Sequence, residues 1–170
     1  MSGKEKTAFI FPAFLHEYPA EPFKGLSDAE VRFLDLLKRA ALQTRNNLAI
    51  KPLVSGTWGT DELTTQYHTF CYSCTFADLL SEADIYPDFA AGYSMGIYAA
   101  LYHSKAITFD QGINLITAAH QSIQAVISGK SFGMASVIGL SRNDILSLTQ
   151  SGRLEMEITN QNSEFALVVS

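Results

Sequence analysis

The sequence predicts an α/β fold: a parallel sheet with helices on both faces, followed by a smaller α+β unit. Three observations carry this. A short apolar run and a glycine-serine-glycine turn lead directly into a helix-forming stretch at residues 87–102. Apolar residues recur at helical spacing in three long segments, and beyond Gly129 the pattern changes to short strands around one short helix.

Taken in order, Thr7-Ala8-Phe9-Ile10-Phe11 is a continuous apolar run stopped by Pro12, the pattern of a strand buried on both faces. Ser27-x-x-Glu30 forms a capping box, and Val31, Leu34, Leu37 and Ala41 follow at helical spacing. A second helix is expected from about Asp61 to Ser81, with Leu63, Tyr67, Phe70, Cys74 and Ala77 on one face. Pro87 to Ala91 predicts a strand and Ile97 to Tyr102 a helix. Thr108-x-x-Gln111 caps a long helix through Ile113, Ile116, Ala119 or His120, Ile123 and Ile127, closed by Gly129. Met134 to Leu140 then reads as a strand, and Ser141 to Gln150 as a helix ending at Gly152. The last two strands, Leu154 to Thr159 and Phe165 to Val169, are joined by Asn160-Gln161-Asn162-Ser163. The expected division is therefore a large subdomain over 1–131, α/β-hydrolase-like with its sheet and elbow, and a small ferredoxin-like α+β subdomain over 132–170.

Composition excludes several classes. The chain is 47% hydrophobic and 17% charged, with no apolar stretch long enough to span a bilayer. A polar start, Met1 to Lys6, runs into the first strand without a secretory pattern, so a cytoplasmic location is expected and no membrane partner. Net charge is −5, and Lys38-Arg39 is the longest basic run, which argues against nucleic acid. Cys71 and Cys74 form C-x-x-C with His68 three residues earlier. A closed metal site needs a fourth ligand, so the cysteines are expected as small core residues and no metal is expected.

Gly92-Tyr93-Ser94-Met95-Gly96 is a G-x-S-x-G pentapeptide between a predicted strand and a predicted helix, the context of a nucleophile elbow. There a serine hydroxyl is presented on a strained turn while the helix N-terminus directs N–H groups at a developing oxyanion. Ser94 is the candidate nucleophile, and Met95, the next residue, a candidate backbone donor.

Several segments, in order, resemble the malonyl-CoA:acyl-carrier-protein transacylase family, which includes the acyltransferase domains of fatty-acid and polyketide synthases. Phe9-Ile10-Phe11-Pro12 resembles the family's opening strand, and Thr65-Gln66 its T-Q-P. Gly92 to Leu101 resembles G-H-S-L-G-E-Y-A-A-L, Gly133 to Leu140 resembles G-x-M-A-A-V-x-G-L, and Asn160 to Ser170 resembles N-x-N-S-P-x-Q-x-V-I-S-G. The resemblance implies ping-pong acyl transfer from an acyl-CoA, through a Ser94 ester, to the phosphopantetheine thiol of an acyl carrier protein. No cofactor is implied, since coenzyme A enters as part of the substrate. Backbone N–H groups of Phe14 and Met95 would form the oxyanion hole, and Gln66 and Asn162 match polar positions lining the family's site.

The sequence departs from the family at three places. Ala13-Phe14-Leu15-His16-Glu17 stands where the family has G-Q-G-S-Q, although a backbone donor survives a change of side chain. Ala119 aligns with the arginine that pairs with a malonyl carboxylate, so the implied transferase is not expected to be malonyl-selective. The family's general-base histidine comes later than Ser94 by more sequence than this chain contains, so the chain alone is expected to turn over poorly. His16 is a candidate substitute base, whereas His103, nine residues along the elbow helix, would sit about 13 Å from the serine along the axis and on the opposite side. Two other readings stay open: a non-catalytic homologue acting as an interaction module, and an acyl-thioester hydrolase.

Overall fold

A computed structural model of the chain describes residues 5–13, 27–46, 48, 61–152 and 155–170. It is a mixed α/β structure that divides into two compact units, Met1–Ser122 and Ile123–Ser170. The division falls inside a helix, ahead of the 131/132 boundary expected from the change of pattern.

In the first unit the order is β1 (Ala8–Phe11), α1 (Ser27–Thr44), α2 (Glu62–Glu82), β2 (Phe89–Gly92), α3 (Gly96–His103) and α4 (Phe109–Ile127), whose last turns run into the second unit. β1 and β2 pair in parallel, Phe9 opposite Ala90 and Phe11 opposite Gly92. Phe9 and Phe11 point towards α3, where the His103 ring lies 5.2 and 5.8 Å from theirs. The opposite face is open: Ile10 is 75% and Phe89 57% exposed. The burial of β1 on both faces expected from its apolar run is therefore not met, because the described residues pack a layer on one face alone.

α2 is the central helix. Tyr67, Phe70, Cys71, Cys74 and Ala77 are buried, and so are Thr65, His68, Thr69, Ser73 and Thr75 on its other sides. A helix buried nearly all round must satisfy its hydroxyls internally. Thr65, Thr69 and Thr75 do so by donating to the carbonyls of Asp61, Thr65 and Cys71, at 3.0, 2.9 and 2.9 Å. Asp61 caps the helix by accepting from Thr64 N–H at 2.8 Å. Both cysteines are free core residues whose thiols are pushed up by burial. α1 turns a different face inward than its spacing suggested. Ala29, Phe33, Leu37 and Ala40 are buried and Val31 is exposed, and Phe33 meets Tyr72 of α2 edge-on. α4 begins with the predicted capping box, Thr108 N–H to Gln111 Oε1 at 2.8 Å and Gln111 N–H to Thr108 Oγ1 at 3.2 Å. It buries Phe109, Gly112, Ile113 and Ile116.

The second unit holds β3 (Ala135–Ile138), α5 (Arg142–Gln150), β4 (Ile158–Ser163) and β5 (Ala166–Val169), with the strands antiparallel in the order β3-β5-β4. Its core is Ile145, Leu167 and Val169. The stretch expected as a loop, Asn160 to Ser163, belongs to β4, and the turn is Glu164-Phe165. Side-chain polarity misleads here because β4 is an edge strand: backbone pairing to β5 holds it through two register shifts while its side chains stay in water. Among the described residues no helix is long and apolar enough to cross a membrane.

Candidate active site

β2 ends at Gly92, and two residues later the chain must reverse into α3. Ser94 makes that reversal in the left-handed region, with φ +51°. For a residue with a Cβ this conformation costs about 1–3 kcal/mol and persists only where the surroundings impose it. The surroundings are visible. A Cβ on Gly92 would overlap the Ile97 nitrogen and the Gly96 carbonyl carbon, and one on Gly96 would overlap the Phe11 carbonyl and lie 2.6 Å from Pro12 O. Both glycines of the pentapeptide are thus required by close backbone approach.

The elbow's N–H groups are mostly engaged. Tyr93 N–H donates to Phe11 O at 3.0 Å, Gly96 N–H to Tyr93 O at 3.0 Å, Ile97 N–H to Ser94 O at 3.1 Å and Tyr98 N–H to Met95 O at 3.2 Å. Met95 N–H, next to the serine, meets no acceptor among the described residues. Met95 is the N-cap of α3, and Ser94 is exposed beside it. An exposed hydroxyl, an open N–H and a helix N-terminus at one point form an arrangement suited to covalent chemistry on a carbonyl carbon.

The other sequence-predicted positions are distributed as follows. Gln66 lies in the second turn of α2, its amide donating to Glu62 Oε1 at 3.1 Å. Ala119 is half-buried on α4, two residues beyond Thr117, whose Oγ1 is 2.7 Å from Tyr67 OH. Asn162 is exposed on β4 in the second unit and accepts from Asn160 Nδ2 at 2.9 Å. Phe14 and His16 lie outside the described residues. Ala13 is described and keeps out of the left-handed region despite replacing a family glycine.

Of the histidines, His68 is buried, its Nδ1 2.7 Å from Thr64 O, and burial lowers its pKa. His103 is in the last turn of α3 against Phe9 and Phe11, and burial lowers its pKa as well. Its ring faces the sheet rather than the serine. His120 is half-buried on α4 and adds to the lowering of the Asp61 carboxyl, which arises mainly from hydrogen bonds given by the Thr64 backbone N–H and the Thr64 side chain. Sequence reasoning missed the contact between Gly96 and the end of β1. The glycine itself was its signal, but which backbone it accommodates depends on the pairing of strands whose partners are 81 residues apart.

No protein-family profile matches the chain. It is 35% identical over 85 residues to the polyketide biosynthesis protein PksE of Bacillus subtilis (strain 168), covering 49% of this chain and 11% of that protein. It is 29% identical over 92 residues to the polyketide biosynthesis malonyl CoA-acyl carrier protein transacylase PksC of the same organism, covering 54% of this chain and 31% of that one. Among solved structures, a malonyl-transacylase in complex with its type II polyketide-synthase acyl carrier protein superposes with TM-score 0.77 at 22% identity. That match covers 97% of this chain and 54% of the solved one, so the chain spans about half the length of the fold it matches, and less of the two relatives.

Proposed function

We propose that the chain is a divergent member of the malonyl-CoA:acyl-carrier-protein transacylase family, as its similarity to these relatives supports, and that it takes part in acyl transfer to an acyl carrier protein with Ser94 as nucleophile. The observation that carries this is the left-handed Ser94 beside a Met95 N–H that meets no acceptor among the described residues. Ser94 Oγ attacks the thioester carbonyl of an acyl-CoA and gives its proton to a general base, the coenzyme A thiolate leaves and is protonated, and an acyl-serine ester remains. The phosphopantetheine thiol of the carrier protein then attacks the ester and regenerates the serine. Met95 N–H, with that of Phe14, holds the oxyanion in both halves, and Gln66 orients the substrate. In this reading the first unit is α/β-hydrolase-like and the second ferredoxin-like, its order β3-β5-β4 being compatible with that fold.

Ala119 sets donor choice. With no guanidinium at this position a malonyl carboxylate has no bidentate partner, and uncharged acyl groups are the better donors. A charge-assisted bond is worth about 1.5–3 kcal/mol, so its absence removes roughly 10- to 100-fold of malonyl preference.

The test is to incubate the intact protein with labelled acetyl-, malonyl- and medium-chain acyl-CoA, map the ester by mass spectrometry, and add holo carrier protein. Label is expected on Ser94, absent from Ser94→Ala, and chased onto the carrier thiol. Label retained in Ser94→Ala overturns the nucleophile, release as free acid makes the protein a hydrolase, and a kcat/KM ranking led by malonyl-CoA overturns the role given to Ala119.

A further inference from the structure

α2 and α4 run antiparallel and meet along a seam with two sides. Three pairs fix the direction: the Asp61 carboxyl feels the charge of His120, Tyr67 OH lies 2.7 Å from Thr117 Oγ1, and the Phe70 ring stacks on Phe109 at 5.3 Å. Thr117 Oγ1 donates to Ile113 O at 2.7 Å, so in its bond to Tyr67 the fully buried tyrosine is the donor. On the other side of the seam Phe70 rests on Gly112, where a Cβ would overlap the ring. Gln66 precedes Phe70 by one turn of α2, and Ala119 follows Gly112 by two turns of α4. In an antiparallel pair these steps go the same way. Gln66 and Ala119 therefore share the Phe70 side of the seam, and the Tyr67–Thr117 bond closes the opposite side at nearly the same level.

We propose that the Tyr67–Thr117 bond sets the width of the space between Gln66 and Ala119, and with it the length of acyl group the site admits, which makes Tyr67 a positioning residue. This rests on the reading that Gln66 and Ala119 line the donor site. A tyrosine ring is rigid and a β-branched threonine is stiff, so the link has a fixed length. Phe70 against Gly112 keeps the helices from closing, and Tyr67 bonded to Thr117 keeps them from opening. Tyr67 stands at the proline of T-Q-P, and proline has no hydroxyl, so the link is absent from the motif that this segment resembles.

The experiment measures acylation of the intact protein by acetyl-CoA and by octanoyl-CoA, with rapid-quench detection of the acyl-enzyme, in Tyr67→Phe, Thr117→Val and Thr117→Ser. Tyr67→Phe keeps the ring and leaves Thr117 bonded to Ile113 O, so it should fold. With nothing to hold the seam shut, its ratio of kcat/KM for octanoyl- over acetyl-CoA should rise roughly fivefold, the worth of one neutral hydrogen bond. Thr117→Val should raise the ratio likewise, and Thr117→Ser, which keeps the hydroxyl, should not. A ratio unchanged or lower in Tyr67→Phe overturns the proposal, and so do equal losses with both donors, because the bond then acts on stability alone. Should Tyr67→Phe fail to fold, Thr117→Val against Thr117→Ser decides by the same ratio. Gln66→Ala and Ala119→Leu test the reading underneath. If neither alters acylation by either donor, the donor site lies elsewhere and both fall; if they alter it while Tyr67→Phe leaves the ratio unchanged, this inference alone falls.

Discussion

Among the described residues, glycine is used in opposite ways in the two units. At Gly92, Gly96 and Gly112 of the first unit an added Cβ would strike neighbouring atoms: the elbow backbone, the end of β1, and the Phe70 ring, respectively. At Gly129, Gly133, Gly139 and Gly152 of the second unit it would meet nothing within 4 Å. The first set is required because backbones and rings approach closely, and at Gly129 and Gly152 of the second set the requirement is instead a positive φ that ends a helix. Dense packing around the elbow is what forces Ser94 to stay strained. The second unit, with three buried core residues among those described, has little with which to impose strain.

The largest expected effect tests this directly. Gly92→Ala drives a methyl group into the backbone of Gly96 and Ile97 and should destabilise the first unit by roughly 4 kcal/mol or more, whereas Gly133→Ala should stabilise by about 0.4–1 kcal/mol through the unfolded chain. Urea denaturation of both variants measures the contrast, and equal effects would break it. Next in size, Leu167→Ala removes a fully buried residue of the second core and should cost about 3 kcal/mol. Hydrogen exchange should show protection lost across β3, β4 and β5 while α2 keeps its own. Loss of protection in α2 to the same degree would mean that the units are not separately stabilised.

Smaller effects sharpen the comparison. Ser94→Gly should gain roughly 1 kcal/mol in Tm-derived stability while losing the hydroxyl, because glycine adopts positive φ without strain. No gain would mean that Ser94 is unstrained. The smallest concerns pH. Burial holds the folded pKa of His68 below its ordinary 6.5, so the unfolded chain takes up the proton first. Stability is thus fully present above about pH 6.5 and declines as pH falls towards the folded value, at no more than about 1.4 kcal/mol per pH unit for one group. His103 works in the same direction. In the second unit Asp144 is lowered from 3.8 by its Ser141 bonds, so its contribution is lost only on more acid titration. Between pH 6.5 and 4.5 the first unit should therefore weaken before the second, and His68→Gln should flatten that slope; a slope unchanged in His68→Gln would assign it elsewhere.

The sequence by itself determined the local geometry. The pentapeptide, the Thr108-x-x-Gln111 cap, the Asp61 start of α2 and the helix ending at Gly152 were legible because each depends on residues within a few positions. The Ser141-x-x-Asp144 capping box was equally legible and went unread. Tertiary structure decided the rest: which face of α1 turns inward, that Asn160 to Ser163 pairs as a strand, that one face of β1 stays open, and that Gly96 rests on Phe11 and Pro12. The first, third and fourth depend on atoms brought together from distant parts of the chain, whereas the β4–β5 pairing is a local hairpin that polar side chains conceal. Apolar spacing records that a residue can be buried; the partner that buries it exists only once the chain has folded.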